Sequence, residues 1–291
     1  MRNMTISKAQ FIALWMETLF FGINTVLFLI CLYVLLRSRG HKVFLGAAVV
    51  MYALCTAHVV VDFIRGIDAF FGPEHEPMAY YTDPLMWSDL LRQALYITNI
   101  LIADSLLIYR LYIIWGYTRW IVILPMLLLV GFSVSGYISA WLFTRVQPGQ
   151  NVFDTSIPMC SLIGYAMSLS TNVIVTGLIA GRIWWDARRT SKFLGRPYCQ
   201  KYLQAMAIVI ESGAIISASL VVLVVLYSLK FNATYVTDSI AQITGIAPTL
   251  IIVRVGMGCA VESDRDQSEN FAQTELSSIR FVRNSARINT V

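Results

Sequence analysis

Seven runs of about 20 or more apolar residues, none alternating apolar with polar, make up most of this chain. A helical run of that length matches the ~30 Å hydrocarbon layer of a bilayer. Backbone polar groups in lipid must be satisfied internally, which leaves helices or a closed barrel, and the missing period-two pattern excludes the barrel. The spans are predicted at 11–36, 43–65, 88–115, 120–143, 158–184, 204–229 and 237–258, the last being the least hydrophobic. Polar connections fill 37–42, 66–87, 116–119, 144–157, 185–203 and 230–236. Composition points the same way. Of 291 residues 57% are hydrophobic and only 13% charged, about half the charged share of a soluble domain. The expected fold is all-α: a seven-helix transmembrane bundle over 1–258 with a disordered tail over 259–291. Such a chain is a multi-pass protein of the plasma membrane or an endomembrane, and its first partner is the lipid bilayer.

Orientation follows from the basic residues, which collect on the cytoplasmic side of membrane proteins. With the N-terminus outside, 16 Lys and Arg face inward and 6 outward. The C-terminus is then cytoplasmic. The two Asn-x-Ser/Thr sequons, at Asn3 and Asn232, both fall on the predicted outer side, where glycosylation would occur. The first apolar run is too long for a signal-peptide core and contains Glu17, so it reads as a retained span. The net charge of +5 belongs to the flanks of the spans and to inner-leaflet lipid, and no nucleic-acid partner is expected.

Several chemistries lose their usual residues. The three histidines are His41, His58 and His75, and only His58 lies in a span, so the three-His zinc site of seven-helix membrane hydrolases cannot form. The seventh span holds no lysine for a retinal Schiff base. No enzyme, metal or cofactor is expected. Cys199 in the basic inner loop and Cys259 beyond the last span are candidate palmitoylation sites.

Ionisable residues at membrane depth are costly and usually face the bundle interior. Here they fall into three layers. Glu17, His58, Asp62 and Arg92, with Arg65, lie in the outer layer as a ligand-facing pocket or a set of structural ion pairs, with His58 donating to Asp62. Asn99, Asp104 and Asn172 lie at mid-depth as a cation or proton site or as inter-helix hydrogen bonds. Arg110, Glu211 and Arg254 lie in the inner layer, one acid between two bases on three helices, as a switch or as static neutralisation. Gly177 and Gly181 form a GxxxG on the fifth span, and Gly131, Ser135 and Ser139 form a small-residue ridge on the fourth; both are expected to pack within the bundle. Pro125 and Pro248 are expected to kink spans four and seven.

Four blocks co-occur in order: Thr56-Ala57-His58 with Asp62; Asp104 with Ile108-Tyr109-Arg110-Leu111-Tyr112 and Trp115; Ile210-Glu211-Ser212-Gly213-Ala214-Ile215; and Ile251-Ile252-Val253-Arg254-Val255-Gly256. Together they resemble a large group of uncharacterised seven-span membrane proteins of mushroom-forming fungi. The resemblance covers nearly the whole membrane region and implies that architecture, without a ligand or an activity. Similarity to class A G-protein-coupled receptors is confined to span number and orientation. Tyr109-Arg110-Leu111 lacks their acidic residue before the arginine, and the Asn-Pro-x-x-Tyr of their seventh span is missing.

The sequence therefore sets up three roles. The first is receptor-like sensing of a small molecule or lipid, with the 185–203 loop and the tail facing a cytosolic signalling partner. The second is a small transporter or channel using His58, Asp62 and Asp104. The third is a non-catalytic membrane scaffold.

Overall fold

The computed structural model describes residues 6–37, 42–72, 80, 87–145, 157–194, 196–228 and 238–254. Among them are seven long helices and no strand: α1 (Ile6–Arg37), α2 (Lys42–Phe71), α3 (Trp87–Ile114), α4 (Trp120–Phe143), α5 (Ile157–Leu194), α6 (Arg196–Ser228) and α7 (238–254). The first six are long and apolar enough to cross a membrane. Their outward faces carry Trp15, Leu19, Val26, Leu127 and Val130, each more than half exposed. In water such a surface would drive association, whereas in lipid it is the ordinary exterior of a transmembrane bundle.

Two predicted boundaries move. α5 continues through Trp185 to Leu194, and α6 already starts at Arg196, so the basic connection predicted over 185–203 is mostly helical. Trp185-Asp186-Ala187-Arg188-Arg189 contains no helix breaker, and Pro197 sits in the first turn of α6, where proline is tolerated. The turn after α3 is tight: Gly116 and Tyr117 take φ of 62° and 64°. The Tyr117 N–H reaches back to the Tyr112 carbonyl at 2.9 Å and that of Gly116 to Ile113 at 3.0 Å, satisfying carbonyls that the end of a helix leaves open.

Sequential helices pack as neighbours, and α3 also touches α5. The most apolar helices face lipid, while α3 and α7 fill the middle. Leu111 of α3 and Ile240 of α7 are 0–1% exposed, and no residue of α7 is exposed. The weak hydropathy of the seventh span thus reflects a helix surrounded by protein. One core joins Tyr96, Ile97 and Ile100 of α3 to Leu220 and Leu223 of α6 and to Ile240 and Ala247 of α7.

The α4 ridge packs as expected. Ser139 and Ser161 share a hydrogen bond of 2.7 Å, and a Cβ placed on Gly131 would meet Met167 of α5. The GxxxG on α5 does not. Gly177 and Gly181 are exposed, and a Cβ on either would meet nothing within 4 Å. The close approach between α5 and α6 is made instead by Gly213, where a Cβ would lie 2.6 Å from Thr176 Oγ1.

Candidate functional site

The buried charges concentrate at one end of the bundle, where α1 and α3 begin, α2 ends and α7 begins. This is the outer end by the basic-residue rule. Helical spacing explains the assembly. His58, Asp62 and Arg65 are three to four residues apart and share a face of α2, as Asp89 and Arg92 do on α3 and Asp238 and Gln242 on α7. Each set turns inward because lipid offers no alternative partner.

Arg92 is the hub. Its guanidinium lies 3.0 Å from Asp89, 3.6 Å from Asp62 and in direct contact with Asp238, so it ties α2 and α7 to α3. Arg65 pairs with the same Asp89 oxygen at 2.6 Å. Beside this network His58 Nδ1 and Glu17 Oε1 share a hydrogen bond of 2.6 Å, and Nδ1 stands 3.5 Å from Asp62 Oδ2. The Gln242 side-chain amide donates to Glu17 Oε1 at 3.1 Å and to the Cys55 carbonyl at 3.2 Å. Four carboxylates thus face two guanidiniums and a histidine. Glu17 and Gln242 are 0% exposed and His58 is 2%. Glu17 Oε2, Asp62 Oδ2 and Gln242 Oε1 have no hydrogen-bond partner among the described residues.

The structure brings Glu17, His58, Asp62 and Arg92 together. It differs from the sequence reading in one pairing: the histidine's hydrogen bond goes to Glu17 on another helix, and Asp62 is the more distant neighbour. Asp89, Asp238 and Gln242 join the site without having been expected there. The signal for the last two was the Asp238-x-x-x-Gln242 spacing on the least hydrophobic span.

The mid-depth residues do not form one cluster. Asn99 donates to the Ala241 carbonyl at 2.8 Å and faces α7. Asp104 accepts from Ser168 of α5 at 3.1 Å. The five intervening steps turn these side chains about 140° apart around α3. Asn172 lies one turn from Ser168 and accepts from Thr176 at 3.1 Å.

At the opposite end Arg254 donates to Glu211 Oε2 at 2.5 Å. Arg110 does not join them. It donates to the Pro248 carbonyl at 3.2 Å, and its guanidinium lies over the Phe44 ring, 5.3 Å from the centroid. The expected three-residue contact is thus one ion pair plus a cation held by a backbone carbonyl and an aromatic face. The side chains of Glu211 and Arg254 are 55% and 39% exposed, and exposed pairs contribute little. Glu211→Gln should therefore cost only about 0–1 kcal/mol in the unfolding free energy of the detergent-solubilised protein. A loss beyond about 2 kcal/mol would show that the pair is buried in use.

A cavity of about 20 Å³ among α3, α4 and α5, lined by Tyr96, Phe132, Ser139, Ser161 and Tyr165, has room for about one water. Asn3, Asn232 and Cys259 lie outside the described residues, as does the tail, and Cys199 falls in the first turn of α6. No family model, curated protein or solved structure matches the chain.

Proposed function

We propose that this multi-pass membrane protein is receptor-like. In this reading a small molecule or lipid is sensed at the end that holds the charge cluster, and α7 carries the response to the other end. One observation supports it above the rest. α7, buried or half-buried along its described length, ends at one side in Asp238 and Gln242, held in the cluster, and at the other in Arg254, held by Glu211. A rigid element gripped by polar contacts at both ends is what a two-state relay requires. The transport reading needs Asp104 in line with His58 and Asp62, and Asp104 is turned toward Ser168 instead. The motif resemblance to fungal seven-span proteins supports the architecture, and the basic end of α5 offers a surface to a cytosolic partner.

Coupling along α7 is measurable before any ligand is known. Asp238 and Arg254 are about 24 Å apart along the helix, and sites that far apart normally add within about 0.5 kcal/mol. Unfolding free energies of Asp238→Asn, Arg254→Gln and the double variant, all in nanodiscs, should depart from additivity by more than that margin of about 0.5 kcal/mol. Strict additivity would sink the relay.

A further inference from the structure

With every carboxylate ionised, the cluster carries more negative charge than its own cations balance. Asp62, Asp89 and Asp238 meet Arg65 and Arg92, and Glu17 meets His58, so with neutral His58 two charges are left over. Asp89 and Asp238 are occupied by guanidiniums. The excess falls on Glu17 and Asp62, which share His58 between them, and here buried acceptor atoms stand without partners. Burying an uncompensated carboxylate is expensive, so a cation is the natural complement.

We propose that Glu17, His58 and Asp62 bind a first-row divalent metal ion. One ligand atom from each of the three lies within 4.8 Å of the others. Three such atoms fit within about 2.8 Å of a common centre. Zinc bonds to imidazole nitrogen and carboxylate oxygen are about 2.0–2.2 Å, which sets tetrahedral ligand atoms about 3.4 Å apart, so His58 Nδ1 and Glu17 Oε1, now 2.6 Å apart, open by about 0.8 Å. The ion takes the place of the proton shared by His58 Nδ1 and Glu17 Oε1, which passes to Nε2 of the same ring, so the imidazole stays neutral. The Gln242 amide keeps its hydrogen bonds to Glu17 Oε1 and the Cys55 carbonyl and steadies the Glu17 ligand from α7. One imidazole with two carboxylates is a mixed donor set that suits Zn²⁺ or Mn²⁺. The dication cancels the two excess charges and crosslinks α1 and α2. This proposal stands apart from the receptor reading, since a structural ion would be bound in the same way.

The test uses the full chain in nanodiscs, stripped with a chelator and titrated with Co²⁺ as a coloured stand-in for Zn²⁺. The expected result is one saturable equivalent with ligand-field absorption bands, displaced by Zn²⁺ and weakened at least about tenfold in both Glu17→Gln and His58→Gln. A surface control, Arg119→Gln, should leave it unchanged. Because the two site variants can fail to fold, a second measurement keeps the cluster intact. In a chain carrying His41→Gln and His75→Gln, His58 is the sole imidazole, and Mn²⁺ or Cu²⁺ should show nitrogen coupling by pulsed electron paramagnetic resonance. Absence of a saturable signal would overturn the proposal and leave the excess charge to protons. So would binding unaffected by either site variant, or bound metal without nitrogen coupling.

Discussion

Arg92→Met should remove most of the protein's stability. The methionine fills similar volume, yet it leaves Asp62, Asp89 and Asp238 facing one another with Arg65 as the remaining guanidinium. Breaking a buried ion pair by deleting one partner costs about 3–5 kcal/mol, a large part of the total for an ordinary domain. The expected outcome is a sharp drop in monodisperse material on size exclusion and in the thermal midpoint of what remains. Arg92→Lys should recover only part of the loss, because a single ammonium cannot span carboxylates on α2, α3 and α7 as the guanidinium fork does. Combining Arg92→Met with Asp238→Leu should also recover part of it by removing one orphaned charge. If Arg92→Met melts within a few degrees of the parent, the cluster is not what joins these helices.

The second large effect is steric. At Gly213 a Cβ would stand 2.6 Å from Thr176 Oγ1 and 2.7 Å from its Cγ2. Threonine is stiff at χ1, so neither atom can swing clear without shifting a helix. Gly213→Val should therefore cost about 1–3 kcal/mol or more in denaturant unfolding. The same change at Gly177, where a Cβ meets nothing, should lie within about 0.5 kcal/mol of the parent. Equal losses at both positions would mean that the α5–α6 interface tolerates separation.

The contrast between these glycines shows what the sequence could reveal. Span positions were legible because lipid imposes a length and an apolarity on every crossing segment: the expected 120–143 span coincides with α4, and 88–115 is offset from α3 by one residue at each end. Rotation about each helix axis is a different matter. GxxxG says that a helix can be approached closely, and only packing says on which side. Gly177 carries the motif and faces out, while Gly213, in no GxxxG, takes the contact. The same limit governed the polar residues. Glu17, His58, Asp62 and Arg92 were legible from depth and rarity, and they meet. Arg110, Glu211 and Arg254 share a depth too, but Arg110 turns to Pro248 and Phe44, since residues at one height on three helices meet only if each helix is rotated to suit. Asp238 escaped notice at the margin of a weakly apolar run, where an acid resembles a loop residue.

The enclosure of α7 bears on how the protein is made. A segment that carries Asp238, Gln242, Thr244 and Thr249 on buried faces has little of its own to draw it from the translocation machinery into lipid, where insertion is graded residue by residue. Its entry depends on the helices synthesised before it being ready to receive it. Until then Arg92 lacks the Asp238 carboxylate, and Glu17 lacks the Gln242 amide. A defect in α1, α2 or α3 should thus surface as a seventh segment stranded outside the membrane, with the polar surface that cellular quality control is built to detect.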